Sequence, residues 1–287
     1  MLLPRFEFHE PATVEEACRI LGELGEKAKT LAGGTDLFVN MKKKVLAPEH
    51  VVSLDRIESL SELGPSNGTL RIGACVKAAE IAESDAVGVD FPALQGGASK
   101  LGSPLIRNLA TIGGNLVSAR PAADFPPPLM AYGAKVVLKS SSGERTVAVS
   151  DFIEGPGQTI ISPEEILDSF LLEKPEAHSG SAYIKLGIRE ALEISLVNVA
   201  VFMTTEGSDG PIKAARVVMG SVGPTPLMSP SAEKVLLGEK PSEALFFAAG
   251  QAAATDSRPI DDFRASAEYK RAMVKELTRR ALAQAYG

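Results

Sequence analysis

Two short stretches pair glycines with residues that can donate hydrogen bonds: Leu31-Ala32-Gly33-Gly34-Thr35-Asp36 and Thr111-Ile112-Gly113-Gly114-Asn115. Each runs from an apolar lead through two glycines to a small polar residue. Without a Cβ the chain can adopt positive φ and fold its amides around an anion at close range. A pyrophosphate is the guest such loops suit, and a pair of tight turns is the reading without a ligand. That the two stretches share the same order of residue types favours the anion.

Other phosphate and nucleophile motifs are missing. There is no G-x-G-x-x-G run, and Gly97-Ala98-Ser99-Lys100-Leu101-Gly102-Ser103 lacks the lysine that a P-loop places after its second glycine. Neither a G-x-S-x-G elbow nor an H-E-x-x-H pair occurs. The chain has 2 cysteines and 3 histidines. Cys18 and Cys75 are too few for a four-thiolate cluster, and His9, His50 and His178 are scattered singly, so no metal centre is expected within this chain.

The elements that must position these residues follow from periodicity. Thr13 and Glu16 form a capping box, and Val14, Ala17, Cys18, Leu21 and Leu24 give the next helix one apolar face. Lys29 to Ala32 is expected as a strand entering the first glycine loop, and Asp36 to Met41 as a helix leaving it. His50 to Asp55, Thr69 to Ala74, Ala134 to Lys139, Arg145 to Val149 and Glu164 to Leu172 are expected as strands. Pro121 to Pro128 is expected as a proline-rich crossing without regular structure. A polar link at 173–180 marks the expected domain boundary. Beyond it come three β-rich stretches and two alanine-rich helices, the last with Tyr269, Met273, Leu277 and Ala281 on one face. Strands followed by helices predict an α+β domain with its helices on one face of a sheet.

Of the 287 residues 45% are hydrophobic and 23% charged, the usage of an ordinary globular protein with room for two domains. A net charge of −6 argues against a nucleic-acid or anionic-membrane surface. Lys42-Lys43-Lys44 is the one basic run and reads as a solvated helix end. Pro4, Arg5, Glu7 and His9 interrupt any apolar leader, and no stretch approaches a membrane span, so no membrane insertion and a cytoplasmic location are expected.

Ala32-Gly33-Gly34-Thr35-Asp36-Leu37, the run from Arg107 to Leu116, and Pro121-Ala122-Ala123-Asp124 resemble the FAD-binding medium subunit of molybdenum hydroxylases, the carbon monoxide and xanthine dehydrogenase type. Arg264 to Arg271 and Leu277 to Leu282 resemble its C-terminal signature. The resemblance covers residues 4 to 285. It implies a two-lobed FAD domain of the vanillyl-alcohol-oxidase type at 1–175, with lobes of about 1–55 and 56–175, then a small α+β domain at 179–287.

On this resemblance the amides of Gly33, Gly34 and Thr35, with those of Gly113, Gly114 and Asn115, would cradle the pyrophosphate, flanked by Leu31, Ala32 and Ile112. Thr35, Thr111 and Ser118 would add hydroxyls. Asp36 and Asp124 match acidic positions that contact the cofactor, Leu167 an apolar position at the flavin ring, and Lys185 a lysine near the flavin. Leu101 would border the adenine. A fixed cation at Lys185 would favour the anionic reduced flavin, whereas an ordinary strand-edge lysine is the other reading. Arg189, Glu190 and Asn198 also fit the pattern, as ties between domains. No histidine lies in either glycine loop, so binding is expected to be non-covalent.

The implied function is electron transfer. A large molybdopterin-binding subunit and a small [2Fe-2S] subunit would assemble with this chain as a dimer of heterotrimers, and electrons would reach an external acceptor through its FAD. The alternative is a self-contained flavin oxidoreductase, against which stands the lack of an acid/base pair to deprotonate a substrate.

Overall fold

The structure, a computed structural model, describes residues 2–66, 68–189 and 192–287. Thr13 Oγ1 accepts the Glu16 amide at 3.1 Å and the Glu16 carboxylate accepts the Ala12 amide at 2.9 Å, which closes the first turn of α1 (Val14–Leu24). Its buried face, Val14, Ala17, Cys18 and Leu21, packs on a three-stranded parallel sheet ordered β1 (Glu7–His9), β3 (His50–Ser53), β2 (Ala28–Leu31). At Leu31 the chain leaves the sheet and turns through the first glycine pair into α2 (Leu37–Lys42), whose exposed end carries the lysine run.

A second, antiparallel sheet has the order β4 (Leu63–Ser66), β5 (Thr69–Gly73), β10 (Ile166–Glu173), β6 (Lys135–Ser140), β7 (Gly143–Ala148). The strand over Leu63–Ser66 was not anticipated; it holds Pro65, which an edge position tolerates because one side of the strand needs no donor. A small hairpin of β8 (Ile153–Gly155) and β9 (Gln158–Thr159) stands apart from it. Six short helices, α3 (Ala78–Glu83), α4 (Asp85–Asp90), α5 (Pro92–Lys100), α6 (Pro104–Arg107), α7 (Ile112–Val117) and α8 (Pro126–Ala131), fill the chain between β5 and β6. Ile72, Val136, Leu138 and Phe170 of the sheet share one core with Ala78, Leu94, Ile112, Leu116 and Leu129 of the helices.

The proline-rich crossing is partly helical, contrary to expectation. Pro126, Pro127 and Pro128 form the first turn of α8, where amides have no intrahelical partner, so a missing N–H costs nothing and the fixed φ helps.

The C-terminal part is a four-stranded antiparallel sheet, β11 (Ser179–Leu186), β12 (Val197–Thr205), β13 (Ile212–Gly220) and β14 (Leu227–Met228), followed by α9 (Pro230–Leu236), α10 (Glu243–Asp256) and α11 (Ala267–Tyr286). Alternation decides which face meets what. Val197, Val199, Val201 and Met203 pack against the three C-terminal helices. Tyr183, Ala200 and Val218 point the other way into the core shared with α5 and α8. The domain's own helices therefore lie on one face, as expected, and the preceding helices cover the other.

On α11 Leu277 and Ala281 are buried as expected, but the first half of the stripe is displaced by one position. Tyr269 is exposed while Lys270, Val274, Leu277, Ala281 and Leu282 are buried, because the Lys270 ammonium finds partners that let its stem pack inward. His9 and His50, 41 residues apart, also come together across β1 and β3, against the expectation of scattered histidines.

Candidate functional site

The segments that carry the two glycine pairs come together. A Cβ on Gly33 would lie 1.9 Å from the Leu109 carbonyl oxygen, so the first loop is pressed against the backbone leading to the second. Gly34 has φ +69°, the left-handed conformation that favours glycine. Ser118 donates to the Asp36 carboxylate at 3.3 Å, which ties the two segments by side chains as well. Among the described residues no acceptor meets the amides of Gly33, Gly34 and Thr35. Consecutive free amides around a left-handed glycine can fold into an anion-binding concavity.

The second pair is built differently from the first. Thr111 caps α7, and Gly113 and Gly114 lie in its first turn. Their amides are already engaged: Gly113 donates to Ala74 O at 2.9 Å, Gly114 to Thr111 Oγ1 at 3.1 Å and Asn115 to Thr111 O at 3.0 Å. The expectation that these three amides cradle an anion is therefore corrected. What α7 offers instead is room and side chains. A Cβ on Gly113 would strike Ala74 at 2.7 Å, so that glycine serves close packing on the end of β5. A Cβ on Gly114 would meet only Thr111 Oγ1, at 2.9 Å, and otherwise open space. The Thr111 hydroxyl proton remains available, as does the Asn115 side-chain amide, whose oxygen is taken by the Phe125 amide at 3.2 Å.

A second cluster joins the N-terminal helices to β11. Lys185 donates to Asp124 Oδ2 at 2.9 Å and to the Lys100 carbonyl at 3.0 Å, and the Tyr183 hydroxyl donates to Asp124 Oδ1 at 2.7 Å. The charged side chains are only 6% and 7% exposed. Burial pushes the Asp124 carboxyl above its ordinary value, with Lys185 and Tyr183 pulling it back; burial, then the Asp124 charge, pushes the Tyr183 phenol well up. Lys185 is thus no free strand-edge cation: its charge is matched. Tyr183 was not singled out by motif, although its spacing of two from Lys185 on a strand puts both on one side.

Leu101 is buried at the end of α5, next to Lys100, and so falls beside Lys185. Leu167 is buried on β10. Its neighbour Asp168 accepts the Ala74 amide, and Ala74 accepts that of Gly113, so β10 reaches α7 through β5. Of the remaining resemblance positions, Arg189 pairs within its own loop with Glu193, Glu190 lies outside the described residues, and Asn198 is buried with its side chain toward Ala123 O at 3.5 Å.

The loop after Lys185 is fastened from both sides. Leu192 donates to Gly102 O at 3.0 Å, and Arg264 donates to Ser195 O at 3.1 Å. Arg264 is held by Asp262 at 2.7 Å, and Asp262 also takes the buried Lys270 at 2.9 Å. Those two cations keep the Asp262 carboxyl well below the usual carboxylate range. The C-terminal signature thus secures the loop beside the Lys185 cluster. Arg264→Met is expected to cost about 1–2 kcal/mol, the worth of charge-assisted hydrogen bonds discounted for partial exposure, and urea unfolding measures it.

Comparisons with known proteins bear on the same arrangement. Residues 4–172 match the family model of the FAD binding domain in molybdopterin dehydrogenase, and residues 182–285 that of the CO dehydrogenase flavoprotein C-terminal domain. The chain is 33% identical over 286 residues to the carbon monoxide dehydrogenase medium chain of Hydrogenophaga pseudoflava, covering 100% of this chain and 99% of that one. It is 29% identical over 280 residues to the xanthine dehydrogenase FAD-binding subunit of Escherichia coli O157:H7, covering 97% and 95%. The structure of the Hydrogenophaga pseudoflava carbon monoxide dehydrogenase that lacks the Mo-pyranopterin moiety contains a chain that superposes with a TM-score of 0.94 at 34% identity, covering 100% and 99%.

Proposed function

The chain belongs to the family of FAD-binding medium subunits of molybdenum hydroxylases, and from that premise we propose how it holds its cofactor and where it stands in its complex. It is the FAD-carrying electron-transfer subunit of a multi-subunit oxidoreductase. When bound, FAD takes up electrons one at a time from iron–sulfur clusters and gives them up singly or in pairs.

The amides of Gly33, Gly34 and Thr35 hold the pyrophosphate, with Leu31 and Ala32 setting the angle at which the loop leaves β2. The Thr111 hydroxyl and the Asn115 side chain complete the cradle from α7, which Ile112 anchors in the core. Gly114 leaves the room the pyrophosphate needs. The single observation that carries this reading is that the amides of Gly33, Gly34 and Thr35 have no acceptor among the described residues, on a loop packed against the Leu109–Ala110 backbone that leads into α7, where Gly114 borders open space. Asp36, braced by Ser118, lies at the rim of the cradle. Asp124, Lys185 and Leu101 form the flavin-side wall, with Leu167 behind it on β10. Lys185 acts there as half of a buried ion pair.

The FAD-binding domain spans residues 1–175 and the C-terminal domain 179–287, a division supported by the polar link between β10 and β11. A large molybdopterin-binding subunit and a small [2Fe-2S] subunit complete a heterotrimer that pairs into a dimer. Among the described residues no helix is long and apolar enough to cross a membrane. A cytoplasmic location fits the two unpaired cysteines.

The experiment is affinity purification of the tagged chain from its native host, followed by metal analysis. Iron and molybdenum are expected to copurify with FAD. A chain that arrives without either metal and turns over a substrate alone would contradict the reading.

A further inference from the structure

Across the edge strand β1 and the central strand β3 of the three-stranded sheet stand three side chains for which the flavin function has no use. Glu7 and His9 alternate on β1 and therefore project to the same face. Parallel pairing sets Glu7 beside His50 and His9 beside Val52, so His50 on β3 shares that face. His9 Nε2 lies 3.1 Å from His50 Nδ1, and the Glu7 carboxylate lies 3.4 Å from the same nitrogen. The ligand atoms of all three fall within 4.8 Å of one another.

These separations are those of a coordination sphere. A tetrahedral ion with bonds of about 2.0–2.1 Å holds its ligand atoms about 3.3–3.4 Å apart, and two of the edges are already close to that. The His50 side chain is 16% exposed and fixed by the sheet, whereas that of Glu7 is 76% exposed and free to swing inward. We propose that Glu7, His9 and His50 form a binding site for a divalent transition metal of the Zn²⁺ class.

Two imidazoles and one carboxylate are the donors that borderline ions favour, whereas Mg²⁺ and Ca²⁺ seek oxygen alone. Three protein ligands leave the fourth position to water. The consequence is mechanical. β1 joins the sheet through only three paired residues, and an ion shared by β1 and β3 clips that short strand in place.

The test is calorimetric titration of zinc sulfate into the untagged, full-length chain after treatment with chelator and dialysis. One Zn²⁺ per chain is expected, with magnesium chloride giving no saturable heat. Loss of an outer-sphere partner alone weakens metal sites about 10- to 100-fold, so His9→Ala and His50→Ala should each weaken binding at least about tenfold. Glu7→Gln, at an exposed position, guards against misfolding of the histidine variants and should weaken binding too. Zn²⁺ should also slow amide exchange at residues 7–9. No one-to-one binding in the parent chain, or an isotherm unchanged in all three variants, would overturn the proposal; neither result depends on the flavin content.

Discussion

Gly114→Val is expected to purify folded but without FAD. A branched side chain at this position displaces Thr111 Oγ1, which would lie 2.9 Å from the first added carbon, and then extends into the open space that the proposed cradle reserves for the pyrophosphate. Disturbing the Thr111 cap costs about 1 kcal/mol. That is small against the roughly 5–15 kcal/mol of a stable domain, so the helical circular dichroism should persist. Flavin content, measured by absorbance of the purified variant, should fall to background. Gly33→Ala is the informative contrast. Its added carbon meets backbone, the Leu109 carbonyl at 1.9 Å, so it should break the contact between the two loops and lower stability and flavin content together. A Gly114→Val protein with normal flavin would remove α7 from the cofactor site.

Lys185→Met is expected to have the largest effect on stability. It leaves the buried Asp124 with only the Tyr183 hydroxyl, and stranding one partner of a buried ion pair costs about 3–5 kcal/mol. Asp124→Asn alone strands the lysine in turn. The double variant Lys185→Met/Asp124→Asn should recover most of the loss, because no unpaired charge remains in the core. Urea unfolding of the four proteins closes the cycle. If Lys185 served only as a cation tuning the flavin, the single variant would unfold like the parent and alter the flavin potential alone. That outcome would remove the pair from the account of how α5 and α8 are held to β11.

How much of this was legible in sequence depends on how far away each residue's partner lies. The first glycine loop was readable because its requirement is local: Gly34 needs positive φ, and the strand ahead and helix behind follow from short-range pattern. The second was misread as a twin. Its amides are consumed by Ala74 and by its own cap, and nothing near Gly113 announces a partner in β5. The same distance in sequence hid the Asp124–Lys185 pair and the meeting of His9 with His50. Pro126 to Pro128 read as a break because three prolines cannot sit inside a helix, yet they can begin one. The α11 stripe was drawn through Tyr269 and not Lys270, since the burial of Lys270 rests on Asp262 and the Ile260 carbonyl rather than on apolar spacing.

The central claim, that this chain holds FAD non-covalently on the Gly33–Thr35 loop, is tested most directly by the absorbance spectrum of the purified chain before and after acid precipitation, with mass analysis of what is released. A yellow protein that yields free FAD into the supernatant is the predicted result. A colourless chain that also takes up no added FAD, or flavin that stays with the precipitated protein, would contradict it.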